Sequence, residues 1–322
     1  METSINVCLD PPIRTYLHYA HPHGILLVNP ERYSWLLNHY IQIKYTKSSD
    51  GEQLLPLVFD TVTYIFWPVL QCQLIIPNDL IEEGIEMIPF LKRMLDDGYA
   101  VRVMVDEFYI ERRSAYQRYH FMHHVMIVGY QEEKAIFYVI GYTDRGRYEM
   151  TTVSMEGFLK GLDLGGKHTL GFFRDSGFPY QAQRKIMLEQ IVHYVNSVQE
   201  DTTRPATSYG MEACRQLEER MDRFVSRNGV DMRAFYLLME HKELMLKRLP
   251  YLLEGNLLCD EFVEEYRPIA KGAAVLCNRV LKYKLTGDEK ERIRAHELLK
   301  TVNEREREFF ERFLAAVDST NG

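Results

Sequence analysis

Short apolar runs separated by turn signals dominate the chain up to about residue 175, and a helical period follows them. Runs of this kind are typical of strands, and they cover 99–105, 124–130, 135–142 and 147–153. Between the last two, Thr143–Gly146 has the composition of a hairpin turn in which Gly146 supplies a positive φ. The pattern predicts a three- or four-stranded antiparallel sheet.

The second part of the chain has the spacing of helices. Apolar residues at i, i+3 and i+4 predict a helix over 231–249, with Asp231 as its N-cap and Pro250 as its stop. Charged and apolar residues over 288–317 predict a long amphipathic helix. The polar stretch 199–208 breaks the periodicity and indicates a linker. We therefore expect an α+β domain over 1–175 and a helical domain over 176–322.

Composition narrows the classes of function. The 322 residues are 46% hydrophobic and 26% charged, as in an ordinary globular protein, and the formal charge of −7 argues against nucleic-acid binding. The five cysteines are widely spaced and include no C-x-x-C pair, so neither a disulfide framework nor a cysteine zinc site is expected. No apolar run has the length of a membrane span. We expect a cytoplasmic protein without nucleic-acid or membrane partners.

A histidine pair opens the second predicted strand, in the segment His120–Tyr130. A histidine at the mouth of a buried strand can be held beside a nucleophile as a general base, or it can be a buried hydrogen-bonding group. Alternation along a strand puts His123 and His124 on opposite faces. The function depends on which nucleophile, if any, accompanies them.

The N-terminal forty residues hold further histidines, and Pro22 followed by an apolar run predicts a helix that begins near Pro22. Helix N-termini stabilise thiolates. The nearest thiol, however, is Cys8, which lies upstream and is separated from that helix by Pro11 and Pro12.

The run Val105–Ile110, followed by Tyr116, His120, His123 and the I-V-G-Y of 127–130, resembles the N-terminal domain of the butirosin-biosynthesis H family. That family consists of papain-like or C39-like proteins encoded in antibiotic and nonribosomal-peptide gene clusters. The resemblance implies an α+β fold in which an antiparallel sheet and an N-terminal helix precede a helical region.

The helical run His241–Tyr251 is similar to that following region. The resemblance also implies acyl or peptidyl transfer from a carrier-protein thioester, borne on a phosphopantetheine arm, to a small amine or peptide, or hydrolysis of the thioester. No other cofactor is implied. The spacing from His123 to Gly129-Tyr130 resembles the histidine strand of papain-like enzymes and favours His123 over His124 as the general base.

This chain departs from the family pattern in two places. The expected cysteine is absent around Leu17, and Gly141 stands where an orienting Asp or Asn is expected. Cys8 could replace the cysteine if the N-terminal arm folds back toward His123, and it could equally be an ordinary inert cysteine.

Asp106 and His18 are the candidate substrate-binding residues. The pair Asp106-Glu107 could orient His123 or bind a substrate amine, or it could be a solvated loop entry or a partner for Arg112 and Arg113. A metal site is not expected, because neither histidine cluster has the H-E-x-x-H pattern.

Two functions remain open from the sequence. One is acyl transfer by Cys8 and His123. The other is a catalytically inactive papain-like homologue that binds a carrier protein or a partner enzyme. The charged helix from Asp288 could also pair with a second copy in a homodimer.

Overall fold

The computed structural model describes residues 2–46, 57–162, 168–199, 207–226, 229–253 and 259–320. The fold is α+β, with a large antiparallel sheet and a mainly helical C-terminal region. Its strands are β1 (Glu2–Ser4), β2 (Ile43–Thr46), β3 (Val58–Phe59), β4 (Leu70–Ile75), β5 (Ala100–Asp106), β6 (Met122–Gln131), β7 (Ile136–Tyr142), β8 (Tyr148–Ser154), β9 (Leu170–Asp175), β10 (Thr207–Tyr209), β11 (Val225–Ser226) and β12 (Gly229–Val230). Its helices are α1 (Leu17–Leu26), α2 (Tyr33–His39), α3 (Pro77–Glu82), α4 (Met87–Asp96), α5 (Met155–Gly161), α6 (Arg184–Val195), α7 (Gly210–Glu219), α8 (Met221–Phe224), α9 (Arg233–Leu252), α10 (Cys259–Thr286) and α11 (Glu289–Thr320).

The chain divides into two compact units. The first consists of Met1–Tyr33 and Val62–Tyr180, and the second of Ser34–Thr61 and Gln181–Gly322. The local sequence pattern places a boundary near residue 175 but does not predict that Ser34–Thr61 belongs with the helical unit.

The first unit is built on a seven-stranded sheet in the order β4-β9-β5-β6-β7-β8, with β1 added on β6. The four strands expected from the sequence are β5 to β8, and they are confirmed. The hairpin at Thr143–Gly146 is also confirmed, with a φ of 68° at Gly146. The sheet is larger than expected because it also includes β1, β4 and β9, which were not predicted from the sequence.

The first unit's sheet has two distinct faces. On one face, α4 and α5 cover an apolar core to which alternate residues of β5 and β6 contribute, including Val103, Val105, Val125 and Ile127. On the opposite face Arg102 pairs in register with Met126, and the methyl carbon of Met126 lies 3.8 Å from the Cβ position of Gly24 in α1. Helix α1 therefore covers the face that carries Arg102.

Helix α1 differs from its prediction. It begins at Leu17, and Pro22 lies inside it instead of at its start. The carbonyl of Tyr16 accepts hydrogen bonds from the backbone N–H groups of Tyr19 and Ala20, which fixes the first turn before the proline. Nearly every residue of α1 is buried, so the packing of the helix offsets the hydrogen bond that the proline cannot make.

Gly129 of the histidine strand has a packing role. A Cβ atom there would lie 2.3 Å from the carbonyl oxygen of Thr3 in β1. Strand β1 pairs directly with this part of β6, with Ser4 opposite Gly129. The absence of a side chain is what lets β1 approach so closely.

Two buried side chains of α9 explain why Ser34–Thr61 belongs to the second unit. Arg248 is fully buried and donates from Nε to the carbonyl of Leu37 at 2.7 Å. His241, also fully buried, donates from Nε2 to the carbonyl of Ile41 at 2.8 Å. These bonds satisfy carbonyl groups at and beyond the end of α2.

The predicted helices of the second unit are confirmed as α9 and α11, with changed ends. Pro250 lies within α9, which ends at Leu252. The N-cap of α9 is Met232, while the Asp231 carboxylate accepts from the N–H of Arg233 at 3.0 Å. The expected linker is only partly covered, because residues 200–206 lie outside the described residues and Thr207–Tyr209 forms β10. Among the described helices, none is both long enough and apolar enough to cross a bilayer.

Candidate functional site

His123 and Glu107 form a hydrogen-bonded pair at the entrance of β6. The imidazole Nδ1 of His123 lies 2.8 Å from Oε1 of Glu107, and the two side chains are 35% and 5% exposed. The pair follows from strand register, because Val105 at the end of β5 lies opposite His123. A short 3₁₀ turn then begins at Glu107, whose N–H donates to the carbonyl of Phe121 at 2.9 Å.

This arrangement suits an imidazole that accepts and donates protons as a general acid or base. A carboxylate can only accept, so Nδ1 of His123 carries the hydrogen and Nε2 keeps a free lone pair. The buried carboxylate holds the ring in that tautomer and would stabilise the imidazolium formed on proton uptake. Glu107, which directly follows β5, therefore supplies the orienting acid that the sequence did not provide at Gly141.

The space beside Gly141 is filled by an arginine. A Cβ atom at Gly141 would lie 3.3 Å from Nη2 of Arg113, whose side chain is 3% exposed. Arg113 donates from Nη1 to the carbonyl of Tyr142 at 3.0 Å. Burial lowers the pKa of Arg113, and the charge of Glu107 opposes that shift. Gly141 is thus explained by the guanidinium that packs on it.

Asp106, predicted to bind substrate, is engaged in local structure. One carboxylate oxygen accepts from the N–H groups of Phe108 and Phe121, each at 3.0 Å, and the other lies 2.5 Å from Nδ1 of His120. Burial opposes its ionisation, but these hydrogen bonds outweigh that effect and lower the pKa of Asp106. The residue organises the turn that presents Glu107.

Cys8, the predicted nucleophile, lies against α1. Its N–H donates to the carbonyl of Gly24 at 2.8 Å, and its thiol acts electrostatically on Tyr148. Gly24 packs on the face of the sheet opposite to His123, and no described contact joins Cys8 to His123. Burial raises the pKa of the Cys8 thiol, which disfavours the thiolate.

The thiols of Cys72, Cys214 and Cys277 are no more nucleophilic. Burial raises the pKa of Cys72 to about 11 and that of Cys277 to about 12. It also raises the pKa of the fully buried Cys214. A nucleophilic cysteine requires a lowered pKa or an adjacent base, and Cys8, Cys72, Cys214 and Cys277 lack the first.

A second cluster of polar residues lies where α1 covers the sheet. His124 is on this face, and burial followed by the charge of Arg102 lowers its pKa to about 3. The same two causes lower the pKa of His18 to about 4. His21 is fully buried, and neither of its ring nitrogens has a hydrogen-bond partner among the described residues. His18, predicted to bind substrate, thus belongs to a group of neutral imidazoles around one cation.

In the second unit, a charged pair that the sequence did not reveal is completely buried. Nζ of Lys242 lies 2.6 Å from Oε2 of Glu306, and both side chains have no exposed surface. The hydroxyl of Tyr194 lies 2.8 Å from both atoms, and that of Tyr266 donates to the other oxygen of Glu306. A cavity of about 330 Å³ beside it is lined by Cys214 and Glu306, among other residues.

Sequence reasoning singled out His123, considered Glu107 and named Arg113 as a possible partner of the acidic pair, but it missed Arg102 and Lys242. An arginine within an apolar run, as in Tyr99–Val105, was the available signal for Arg102.

Within the described ranges, no three His, Cys, Asp or Glu side chains converge as metal ligands. Comparison of the chain with models of known protein families gives no match, and neither does comparison with curated proteins.

Proposed function

We propose that the protein transfers an acyl or peptidyl group from a carrier-protein thioester to an amine, with His123 acting as general base directly on the acceptor. The observation that carries this proposal is the 2.8 Å contact between Nδ1 of His123 and the buried carboxylate of Glu107. The papain-like fold, the carrier protein and the phosphopantetheine arm come from the sequence resemblance alone. The expected cytoplasmic location rests on cysteine usage.

The proposed step needs no covalent enzyme intermediate. Nε2 of His123 takes a proton from the attacking amine while the amine nitrogen bonds to the thioester carbon. The carbon–sulfur bond then breaks, and the departing pantetheine sulfur takes the proton back from His123. With water as the acceptor, the same sequence hydrolyses the thioester. The raised pKa of Cys8 is why we prefer this route to the Cys8 and His123 pair expected from the sequence.

The test uses a holo carrier protein loaded with an acetyl group, together with a panel of small amines. Amide product and released thiol are measured by mass spectrometry. We expect His123→Ala to lower the rate by roughly 10²- to 10⁴-fold, the usual contribution of a general base, and Cys8→Ala to retain the rate. His120→Gln is the matched control, because His120 is a nearby histidine that pairs with Asp106 instead.

Two results would overturn the proposal. One is full turnover by His123→Ala. The other is an acetyl group found covalently on Cys8 together with loss of turnover in Cys8→Ala, which would restore the cysteine mechanism.

A second candidate function is a non-catalytic module that binds the carrier protein or a partner enzyme. It is favoured by the raised pKa of Cys8 and Cys72 and by Leu17 and His18 standing at the start of α1, where the family resemblance expects a cysteine. It predicts binding of the acetylated carrier without turnover, and binding that survives both Cys8→Ala and His123→Ala. Loss of binding in His123→Ala, with the fold intact, would count against it.

A further inference from the structure

Arg102 is a cation held in the sheet without a described counter-ion. It lies in β5 on the face covered by α1, opposite Met126 of β6 and Gly171 of β9. Its Nη1 donates to the hydroxyl of Tyr64 at 3.3 Å, and its guanidinium carbon lies 6.0 Å from the centre of the Tyr64 ring. Its Nε is buried and has no hydrogen-bond partner among the residues that the structure describes.

The groups around Arg102 do not neutralise it. Its charge acts on His18, His21 and His124, all of which it drives toward the neutral form, and on the thiol of Cys72. No described carboxylate forms an ion pair with it. His21 adds two buried ring nitrogens that also lack described partners.

An unpaired guanidinium beside unpartnered ring nitrogens costs folding free energy unless a ligand supplies the missing partners. Arg102 as a whole is half-buried, but its Nε and the two ring nitrogens of His21 are buried, and buried polar atoms are almost always hydrogen-bonded. The edge of a guanidinium that contains Nε is suited to a carboxylate or phosphate, which accepts two parallel N–H bonds. Neutral imidazoles can donate further hydrogen bonds to the same anion.

We propose that the α1-covered face of the sheet is an oxyanion-binding site, in which Arg102 binds a carboxylate or phosphate group with help from His18, His21 and His124. The inference does not depend on the proposed acyl transfer, because His123 and Glu107 belong to the opposite face. A protein without acyltransferase activity could still bind the anion, and an active one could fail to bind it.

The experiment is calorimetric titration of the full chain with inorganic phosphate and, separately, with acetate. Nuclear magnetic resonance of ¹⁵N-labelled histidine side chains follows the same titrations. We expect saturable binding of at least one anion, with shifts in the resonances of His18 and His124. Saturation by phosphate alone indicates a phosphoryl ligand, saturation by acetate alone a carboxylate, and saturation by both a site that reads only the shared oxyanion chemistry.

Arg102→Gln should weaken binding by about tenfold or more, since it removes hydrogen bonds to a charged group, which are stronger than neutral ones. The matched control is Arg174→Gln in the same sheet, because Arg174 donates to Gln71 at 2.7 Å and packs on Tyr99. If Arg102→Gln does not fold, Tyr64→Phe and Arg102→Lys test the proposal, because both keep the positive charge. Tyr64→Phe removes the hydroxyl that orients the guanidinium, and Arg102→Lys removes the two parallel N–H donors, so each should weaken binding.

The proposal is wrong if neither anion saturates the wild-type protein at millimolar concentrations. It is also wrong if folded Arg102 variants bind as tightly as Arg174→Gln.

Discussion

The carboxylate of Glu107 holds the imidazole of His123 at 2.8 Å, although the two residues are sixteen positions apart in the sequence. The antiparallel pairing of β5 and β6 creates this relationship, because it sets Val105 opposite His123. The acid is buried and the histidine is partly exposed. One side of the ring is therefore fixed while the other is available to a substrate.

Glu107→Gln should lower acyl transfer by about 10²-fold or more while leaving the protein folded. The amide preserves the shape of the carboxylate but removes the charge that stabilises the imidazolium, and it can donate to Nδ1 and impose the wrong tautomer. Steady-state kinetics give the rate, and urea unfolding checks the fold. Unchanged kcat/KM in a folded Glu107→Gln protein would remove Glu107 from the mechanism.

Local periodicity was sufficient to predict β5 to β8, their hairpin and the long helix α11, because each of these elements shows its own pattern within one continuous segment. It could not predict which face of the sheet α1 covers. The alternation rule correctly put His123 and His124 on opposite faces of the sheet. Only the packing of Gly24 on Met126, however, shows that His124 faces the helix.

The partners of the site residues also depend on long-range contacts. The sequence left several roles open for the acidic pair Asp106-Glu107, and orientation of His123 was one of them. The register of β5 and β6 brings Glu107 to His123 and so selects that role. Gly141 was interpreted as a lost acid, whereas the structure relates it to the buried guanidinium of Arg113. The assignment of Ser34–Thr61 to the helical unit depends on Arg248 and His241, which lie some two hundred residues away.

Cys8 and Cys72 should react slowly with alkylating agents near neutral pH. Because only the thiolate is nucleophilic, and because burial raises the pKa of Cys72 to about 11, its reaction with iodoacetamide should become appreciable only in strongly alkaline solution. Cys8, whose thiol is also shifted upward by burial, should react no faster than free cysteine at pH 7. Peptide mass spectrometry over a pH series measures both rates. Rapid modification of Cys8 at neutral pH would contradict the structural environment and revive the cysteine mechanism.

Gly129→Ala should destabilise the protein by about 1 to 3 kcal/mol, the usual cost of overpacking. The added methyl group would meet the carbonyl of Thr3, so it should displace β1. A double-mutant cycle that combines Gly129→Ala with removal of residues 2–4, measured by urea denaturation, tests whether the clash with β1 is the cause. In a chain without residues 2–4, the cost of Gly129→Ala should fall, because the obstructed strand is gone. An equal cost in both backgrounds would show that the strain lies elsewhere.

Lys242→Met should be far more damaging than removal of a surface lysine. It leaves the carboxylate of Glu306 buried without its cation, which typically costs about 3 to 5 kcal/mol. Lys300→Met is the control on an exposed pair, since Lys300 and Glu304 have side chains that are 63% and 60% exposed. Urea unfolding gives both free energies. Equal effects of the two substitutions would mean that the buried pair contributes no more than the exposed one.

Acid should destabilise the protein through its buried neutral histidines. Burial lowers the pKa of His23 to about 3, whereas an unfolded histidine titrates near about 6.5. Between these values the unfolded chain binds a proton that the folded chain excludes, so stability falls as the pH drops from about 6.5 toward 3, by about 1.4 kcal/mol per pH unit for each such group. His124, with a pKa of about 3, and His18, with a pKa of about 4, add to the same trend. Urea unfolding at several pH values between neutrality and pH 4.5 measures the slope, and His23→Gln should reduce it by about one proton. A slope that is unchanged in His23→Gln would show that His23 is already protonated in the folded protein.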